Sequence, residues 1–383
     1  MSGPSRIRNP FTYGDLASDE SFTDRDEELG RLKSDVRNGQ NVAVIAPRRY
    51  GKSSLVKAAL SGLIGEGFLV VEVDLMTTPT KERLAAKLAK SIHDDVATAV
   101  LRAKERLRIF GSLRIVPSMT VDTHGVMSFG FSAARAEGDV DATIERLLEL
   151  PAEIAADQGR RLVVSFDEFQ EVTSIDPRLP ALMRAVFQQQ RDVAHVYAGS
   201  KRDMMRRLFD DEHEPFYRSA KTMEIGAIPV PLFADFVKAQ FDRTDRGVSD
   251  EAVDRLLAIT GGHPYATQEL AYALWEEIPE GFSGSVADLD EALRAVLRAE
   301  SARFTLNWDN ATRPQKLLLQ ALAHEPGRPF SNAYRLRYDL PPTSGVQRAI
   351  RPLLDAELVR KEPDGQYDLA EPFLREWILA YAT

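Results

Sequence analysis

The 383-residue sequence predicts an α/β domain built on a parallel sheet, followed by a helical domain and a C-terminal winged helix. Three observations carry that expectation. Five short apolar runs between residues 41 and 225 alternate with stretches of helical spacing, as in a parallel sheet covered on both faces. After Pro229 the strand-like runs stop and helical segments follow one another. Near the end, three helical segments precede two short strand runs joined by Pro363-Asp364-Gly365, the order of a winged helix.

Composition sets the outer bounds. A chain of this length exceeds one ordinary hydrophobic core, so two or three domains are expected. Hydrophobic residues make up 44% and charged residues 28%, and no apolar run reaches the length of a membrane helix. Arg6 and Arg8 are followed by no apolar stretch, so the N-terminus does not read as a signal peptide. With no cysteine there is no disulfide framework and no thiolate zinc site. A cytoplasmic protein with no membrane partner fits these features. The net charge of −9, from 49 basic and 58 acidic side chains, argues against coating nucleic acid through bulk charge.

Taken in order, residues 1–20 form an arm with little periodicity. The core is expected over 21–228, a helical lid over 229–312 and the winged helix over 313–383. Phe22 to Leu32 reads as a helix capped by Thr23 or Asp24, with acids in its first turn. The core strands are expected at 41–46, 68–74, 161–167, 194–200 and 222–225. Helices are expected over 53–64, 80–107 and 140–157, and a β-hairpin insertion near 112–131 turns at Asp122-Thr123-His124-Gly125. A basic stretch there (Arg102, Lys104, Arg106, Arg108, Arg114) reads as a solvated helix face. Beyond Pro229 the helical spacing covers 231–242, 249–260, 264–278 and 286–322. The winged helix itself is expected to comprise helices at 314–324, 332–338 and 344–354, strands at 358–361 and 366–369, and a last helix over 372–382.

The chemistry concentrates after the first strand. Ala46-Pro47-Arg48-Arg49-Tyr50-Gly51-Lys52-Ser53 follows the pattern G-x-x-x-x-G-K-[ST], with Ala46 in place of the first glycine. Alanine serves there if its φ is negative. Backbone amides at a helix N-terminus make an anion-binding concavity, which assigns Pro47 to Ser54 to phosphate binding. In that loop Lys52 would reach the β- and γ-phosphates and the Ser53 hydroxyl would hold Mg²⁺. Arg48 and Arg49 either contact phosphate or solvate the loop. A second element, Leu162-Val163-Val164-Ser165-Phe166, is a buried strand ending in Asp167-Glu168. Two acids at the C-terminal edge of a parallel sheet lie where such sheets bind ligands. Asp167 would anchor Mg²⁺ through its water shell, and Glu168 would act as general base on the attacking water. Ser200 ends the neighbouring strand, where it can touch the γ-phosphate or position the water, cap the helix from Lys201 onward, or do both. ATP and Mg²⁺ are the expected cofactors. A guanine-reading N-K-x-D motif is missing.

The series F-x-x-R-x-x-E-L (Phe22, Arg25, Glu28, Leu29), PRRYGKSSL, VVSFDEFQEV, AGS, FYRSAKTMEIGAI and GGHPY resembles the archaeal-type ATPases. They are a family of the STAND branch of P-loop NTPases, related to AAA+ ATPases, and the resemblance covers roughly residues 20–380. It implies a core sheet of order 5-1-4-3-2, a helical lid and a C-terminal winged helix. It also implies that His263 reaches the β-phosphate from the lid, and that the Phe22–Arg25 segment, Arg25 included, lies against adenine. Such oligomeric ATPases place an arginine after the sensor strand to reach a neighbour's γ-phosphate. Of Arg202, Arg206, Arg207 and Arg218, the last is the preferred match.

Three readings of purpose follow. The first is a switch in which nucleotide state sets domain arrangement and engagement of a protein partner, with nucleotide-dependent homo-oligomers. The second is an ATPase whose winged helix contacts duplex DNA. The third is a nucleotide-stabilised scaffold with negligible turnover. Residues 313–383 hold ten lysines and arginines against nine acids. A near-neutral domain of this kind favours the switch, although Gln347, Arg348, Arg351, Arg360 and Lys361 form a modest basic edge. Glu168 speaks against the scaffold, because a site kept for binding alone has no use for a base beside the metal ligand.

Overall fold

The computed structural model describes residues 8–14, 25–97, 115–121, 127–133, 137–362 and 364–382. They divide into two compact units, one of residues 25–226 and one of residues 227–382 with the N-terminal residues 8–14.

The first unit is a five-stranded parallel sheet. Its strands are β1 (Val42–Ile45), β2 (Leu69–Asp74), β3 (Leu162–Asp167), β4 (Val193–Gly199) and β5 (Lys221–Glu224), in the order β5-β1-β4-β3-β2. This is the order 5-1-4-3-2 expected from the resemblance. Every residue of β1 and β4 is buried, as strands covered on both faces require. The flanking helices are α1 (Asp26–Arg37), α2 (Lys52–Gly65), α3 (Lys81–Ser91), α4 (Glu137–Gln158), α5 (Leu179–Phe187) and α6 (Arg202–Asp210). Helix α2 buries Leu55, Val56, Ala59, Leu60 and Leu63, a stripe of 3.6-residue period. An aromatic cluster fills one side of the sheet. Phe169 is fully buried, with ring centroids 4.6 Å from Tyr197 and 5.2 Å from Phe216.

Both edges of the sheet are blunted. β5 has four residues and an exposed Lys221, whose ammonium pairs with Asp35 at 2.5 Å. At the other edge, α3 runs into a π-helical turn, Ile92–Ala97. There the Asp95 carboxylate accepts the Glu72 amide at 3.0 Å, and the Ser91 hydroxyl donates to the Glu72 carbonyl at 2.6 Å.

Several sequence expectations change. The first helix begins at Asp26 with Arg25 in the N-cap position, because the Arg25 guanidinium is drawn into the core; Thr23 and Asp24 lie outside the described residues. The expected helix over 80–107 gives way to the π turn at Ile92, and the remainder, with the basic stretch at 102–114, lies outside the described residues. The insertion hairpin pairs Ile115–Val121 with Met127–Ala133, displaced by about two residues toward the C-terminus from the expected 112–131, and its turn residues are not described.

The second unit is helical: α7 (Val230–Asp242), α8 (Asp250–Thr260), α9 (Pro264–Glu277) and α10 (Val286–Asn310), then α11 (Arg313–His324), α12 (Asn332–Arg337), α13 (Thr343–Asp355) and α14 (Pro372–Tyr381). The expected continuous helix over 286–322 is two helices. Thr312 and Gln315 form a capping box with a proline at the start of α11, which stops α10 at Asn310. Strands β6 (Val359–Lys361) and β7 (Tyr367–Leu369) pair antiparallel as the wing. A two-residue parallel pairing of Gly247–Val248 with Ser283–Gly284 carries too little periodicity to be read from sequence. Residues 8–14, the described part of the stretch read as an arm, pack on this unit. Phe11 is 1% exposed against Phe241, Asn9 donates to the Tyr272 carbonyl at 3.2 Å, and Tyr13 meets Tyr265 and Tyr272 edge-on.

Candidate functional site

The loop between β1 and α2 turns on two left-handed residues, Arg49 (φ 66°) and Gly51 (φ 79°), while φ at Ala46 is not positive. Ala46 therefore meets the condition under which it replaces glycine. Gly51 is the N-cap of α2 and offers no side chain to it, and the first turn holds no acid. This leaves the helix N-terminus suited to an external anion. Arg48 and Arg49 are exposed, Tyr50 is buried, and Ser53 and Ser54 are half-buried. Arg25 braces the loop from below. Its guanidinium donates to the carbonyls of Tyr50 (3.0 Å) and Gly226 (2.8 Å) and pairs with Glu28 at 3.2 Å, and it is 3% exposed. The two carbonyls and Glu28 are thus the groups that hold the side chain expected at adenine.

Lys52 emerges from this loop at 6% exposure and bridges two carboxylates, Asp167 at 2.5 Å and Glu168 at 2.9 Å. The Ser53 hydroxyl donates to the other oxygen of Asp167 at 3.0 Å. Asp167 also accepts the Glu168 amide at 2.9 Å, so it steadies its own turn as well. β3 delivers both acids to the C-terminal edge of the sheet. Glu168 then takes a left-handed conformation (φ 50°), and the buried Phe169 anchors the short helical turn that follows. The strained backbone of Glu168 is held by this packing and aims its carboxylate back at Lys52.

Glu168 is surrounded by donors. Oε1 faces Lys52, and Oε2 accepts from the Ser200 hydroxyl at 2.7 Å and from the Gln170 amide. Burial pushes the Glu168 carboxyl up, but the Lys52 ammonium and the hydrogen bonds from Lys52, Ser200 and Gln170 outweigh it and hold the group below the usual carboxylate range. Ser200 ends β4. The helix after it has Lys201 at its N-cap with no side-chain cap, so of the two roles read for Ser200 the helix-capping one is absent.

Lys52, Ser53, Asp167, Glu168 and Ser200 are thus brought together. Sequence reasoning missed Gln170. Its position two residues after the acidic pair was a signal, but only the tight turn shows that its amide reaches back. Arg218 is exposed, left-handed (φ 52°), and its guanidinium lies over the Tyr217 ring at 5.1 Å. In the second unit, His263 is 4% exposed and caps α9, its Nδ1 accepting the Ala266 amide at 3.3 Å. That bond assigns the ring proton to Nε2.

A family model described as an ATPase domain predominantly from Archaea matches residues 22–270, well over half of the chain, and a model described as a probable winged helix domain matches residues 302–380. No curated protein sequence matches. Among solved structures, the chain is similar to a Walker-type ATPase of Pyrococcus abyssi, with a TM-score of 0.65 and 16% identity over 95% of this chain and 99% of that one. It is also similar to the Orc1 protein of Aeropyrum pernix, solved in complex with DNA, with a TM-score of 0.50 and 14% identity over 96% of each chain. At these identities the likeness is one of fold. No helix among the described residues is long and apolar enough to cross a membrane.

Proposed function

The chain belongs to the ATPase domain family found predominantly in Archaea, and from that membership we propose that it is an ATP-hydrolysing switch whose nucleotide state sets domain arrangement and engagement of a protein partner. The observation that carries the reading is the meeting of Lys52, Ser53, Asp167, Glu168 and Ser200 within hydrogen-bond distance at the C-terminal edge of the sheet.

In this reading the amides around Pro47 to Ser54 cradle the phosphates, and Lys52 leaves its carboxylates for them. The Ser53 hydroxyl and the Asp167 carboxylate, 3.0 Å apart, are a hard-oxygen pair that fits Mg²⁺. When bound, that ion neutralises charge developing on the phosphate oxygens. Glu168 accepts a proton from the attacking water, held in orientation by Ser200. His263, with its proton on Nε2, donates to a phosphate oxygen from the lid, residues 229–312. Arg218 reaches the γ-phosphate of a second copy in a nucleotide-dependent oligomer.

The alternative, contact of the winged helix (residues 313–383) with duplex DNA, draws on the exposed Arg348 and Arg351 of α13. Against it, wing Arg360 is paired with Glu362 at 2.5 Å and Asp368 at 2.9 Å, which leaves less charge for phosphate. The deciding experiment is ATP turnover by the purified chain with and without duplex DNA. Slow Mg²⁺-dependent turnover indifferent to DNA supports the switch. Stimulation lost in Arg348→Ala/Arg351→Ala replaces it with the DNA reading, and no turnover in either condition sinks the hydrolase assignment.

A further inference from the structure

Gln170 has no part in the chemistry assigned above, yet it is 0% exposed and touches the centre of the site. Its amide nitrogen donates to Glu168 Oε2, which fixes the amide's orientation, since a carboxylate oxygen accepts only. Its own carbonyl oxygen is buried with no hydrogen-bond partner among the described residues. That oxygen presses on β4. A Cβ at Gly199 would lie 2.6 Å from it and 2.3 Å from the Met205 Sδ, so the glycine before Ser200 makes room for the side chains of Met205 and Gln170. A buried, half-satisfied amide costs stability relative to an apolar side chain of the same shape, so its presence here calls for a role.

The division of donors over the two carboxylate oxygens supplies one. Oε2 carries both Ser200 and Gln170, whereas Oε1 carries Lys52. When Lys52 moves to phosphate, Oε1 loses its partner and Oε2 keeps two. We propose that Gln170 is a positioning residue which, together with Ser200, pins Oε2 of Glu168 so that Oε1 is the oxygen presented to the attacking water. Proton transfer then runs from water to Oε1, with the hydroxide oxygen forming the new bond to phosphorus as the bond to the leaving phosphate breaks. The inference rests on the general-base reading of Glu168.

Gln170→Met keeps the volume, removes the donor and removes the orphan acceptor, so melting temperature is expected to hold or rise. Its ATP dissociation constant should stay within about twofold while kcat falls between about 10- and 100-fold, the scale of a base displaced by a fraction of an ångström to 1 Å. The loss of a hydrogen bond to the charged form raises the Glu168 pKa, so the acid limb of the kcat–pH profile moves to higher pH. Gln170→Glu, which also lacks the donor and adds a like charge, should move that limb further in the same direction; it serves if Gln170→Met does not fold. Glu168→Gln is the control. Full turnover there removes the base assignment itself. Low turnover there, with wild-type kcat and pH profile in the Gln170 variants, overturns the positioning role alone. A fall in kcat matched by equal losses of affinity and melting temperature, with the limb unmoved, makes Gln170 a packing residue and overturns it too.

Discussion

Replacing Glu168 by glutamine separates binding from chemistry, and the contacts around it set the magnitudes. Glutamine keeps the size and one acceptor oxygen. If that oxygen stays toward Lys52, the new NH₂ group faces Ser200, whose hydroxyl also accepts, and Gln170, whose amide can flip to present the oxygen that now lacks a partner. Lys52 retains Asp167 at 2.5 Å. Folding therefore changes little, by about 1 kcal/mol, the scale of one net hydrogen bond. ATP binding should tighten slightly. Glu168 is 15% exposed and Lys52 6%, so the attraction across 2.9 Å is poorly screened, and the lysine works against it when it leaves for phosphate. Much of the gross Coulomb energy is returned by solvation, and a net relief of about 1 kcal/mol makes binding about fivefold tighter. Turnover should fall by about 10² to 10⁴, the contribution of a positioned general base, or about 3–5 kcal/mol in barrier. Calorimetric titration with ATP and steady-state phosphate release measure the two effects on one preparation. Equal losses in both would make Glu168 a structural residue, and unchanged turnover would remove it from the chemistry.

The remaining predictions concern neighbouring features. Lys52→Ala should weaken ATP binding by at least about 100-fold, the loss of a charge-assisted phosphate contact at a desolvated position, and calorimetry showing wild-type affinity would end the assignment of the loop. Burial holds the His195 imidazole down to about 3, below its ordinary 6.5, so the folded state excludes a proton the unfolded chain binds. Stability linked to this group is complete above pH 6.5 and declines toward pH 3 by up to about 1.4 kcal/mol per pH unit. Denaturant midpoints should accordingly fall less steeply over that window in His195→Gln than in the parent. Gly262 has φ 71°, and a Cβ there would meet the Ile228 carbonyl at 2.2 Å, so Gly262→Ala should lower stability by about 2 kcal/mol or more, with an unchanged melting curve counting against the backbone geometry.

The parts of this molecule that depend on local pattern were readable from the chain, and those that depend on distant contact were not. Apolar runs at β1, β3 and β4 announce buried strands because apolar residues dominate them, with Ser165 and His195 the polar exceptions, and Gly51-Lys52-Ser53 and Asp167-Glu168 mark the phosphate loop and a strand end by their chemistry. Arg25 illustrates the limit. Its carbonyl partners lie 25 and 201 residues away, and no spacing rule distinguishes such a side chain from one facing a ligand. The break between α10 and α11 was written locally, in Thr312, Pro314 and Gln315, but apolar spacing ran across it and dominated the reading. Gln170 stayed hidden for a third reason. Its reach depends on the left-handed turn at Glu168, a conformation that a glutamate does not advertise.

The covering of β2 has a consequence for self-assembly. An open sheet edge is a template on which another chain can crystallise into a growing ribbon, and aggregation of α/β proteins starts there. Here the amide and carbonyl of Glu72, at the middle of that edge, are already occupied by Asp95 and Ser91 of its own chain. The opposite edge is too short and too charged to serve instead. At this sheet, contact between copies is therefore left to side chains on helices and loops, surfaces whose fit changes when a loop moves, rather than to a backbone ladder that is indifferent to nucleotide. Assembly of the first kind is reversible on demand, whereas a ladder would be permanent.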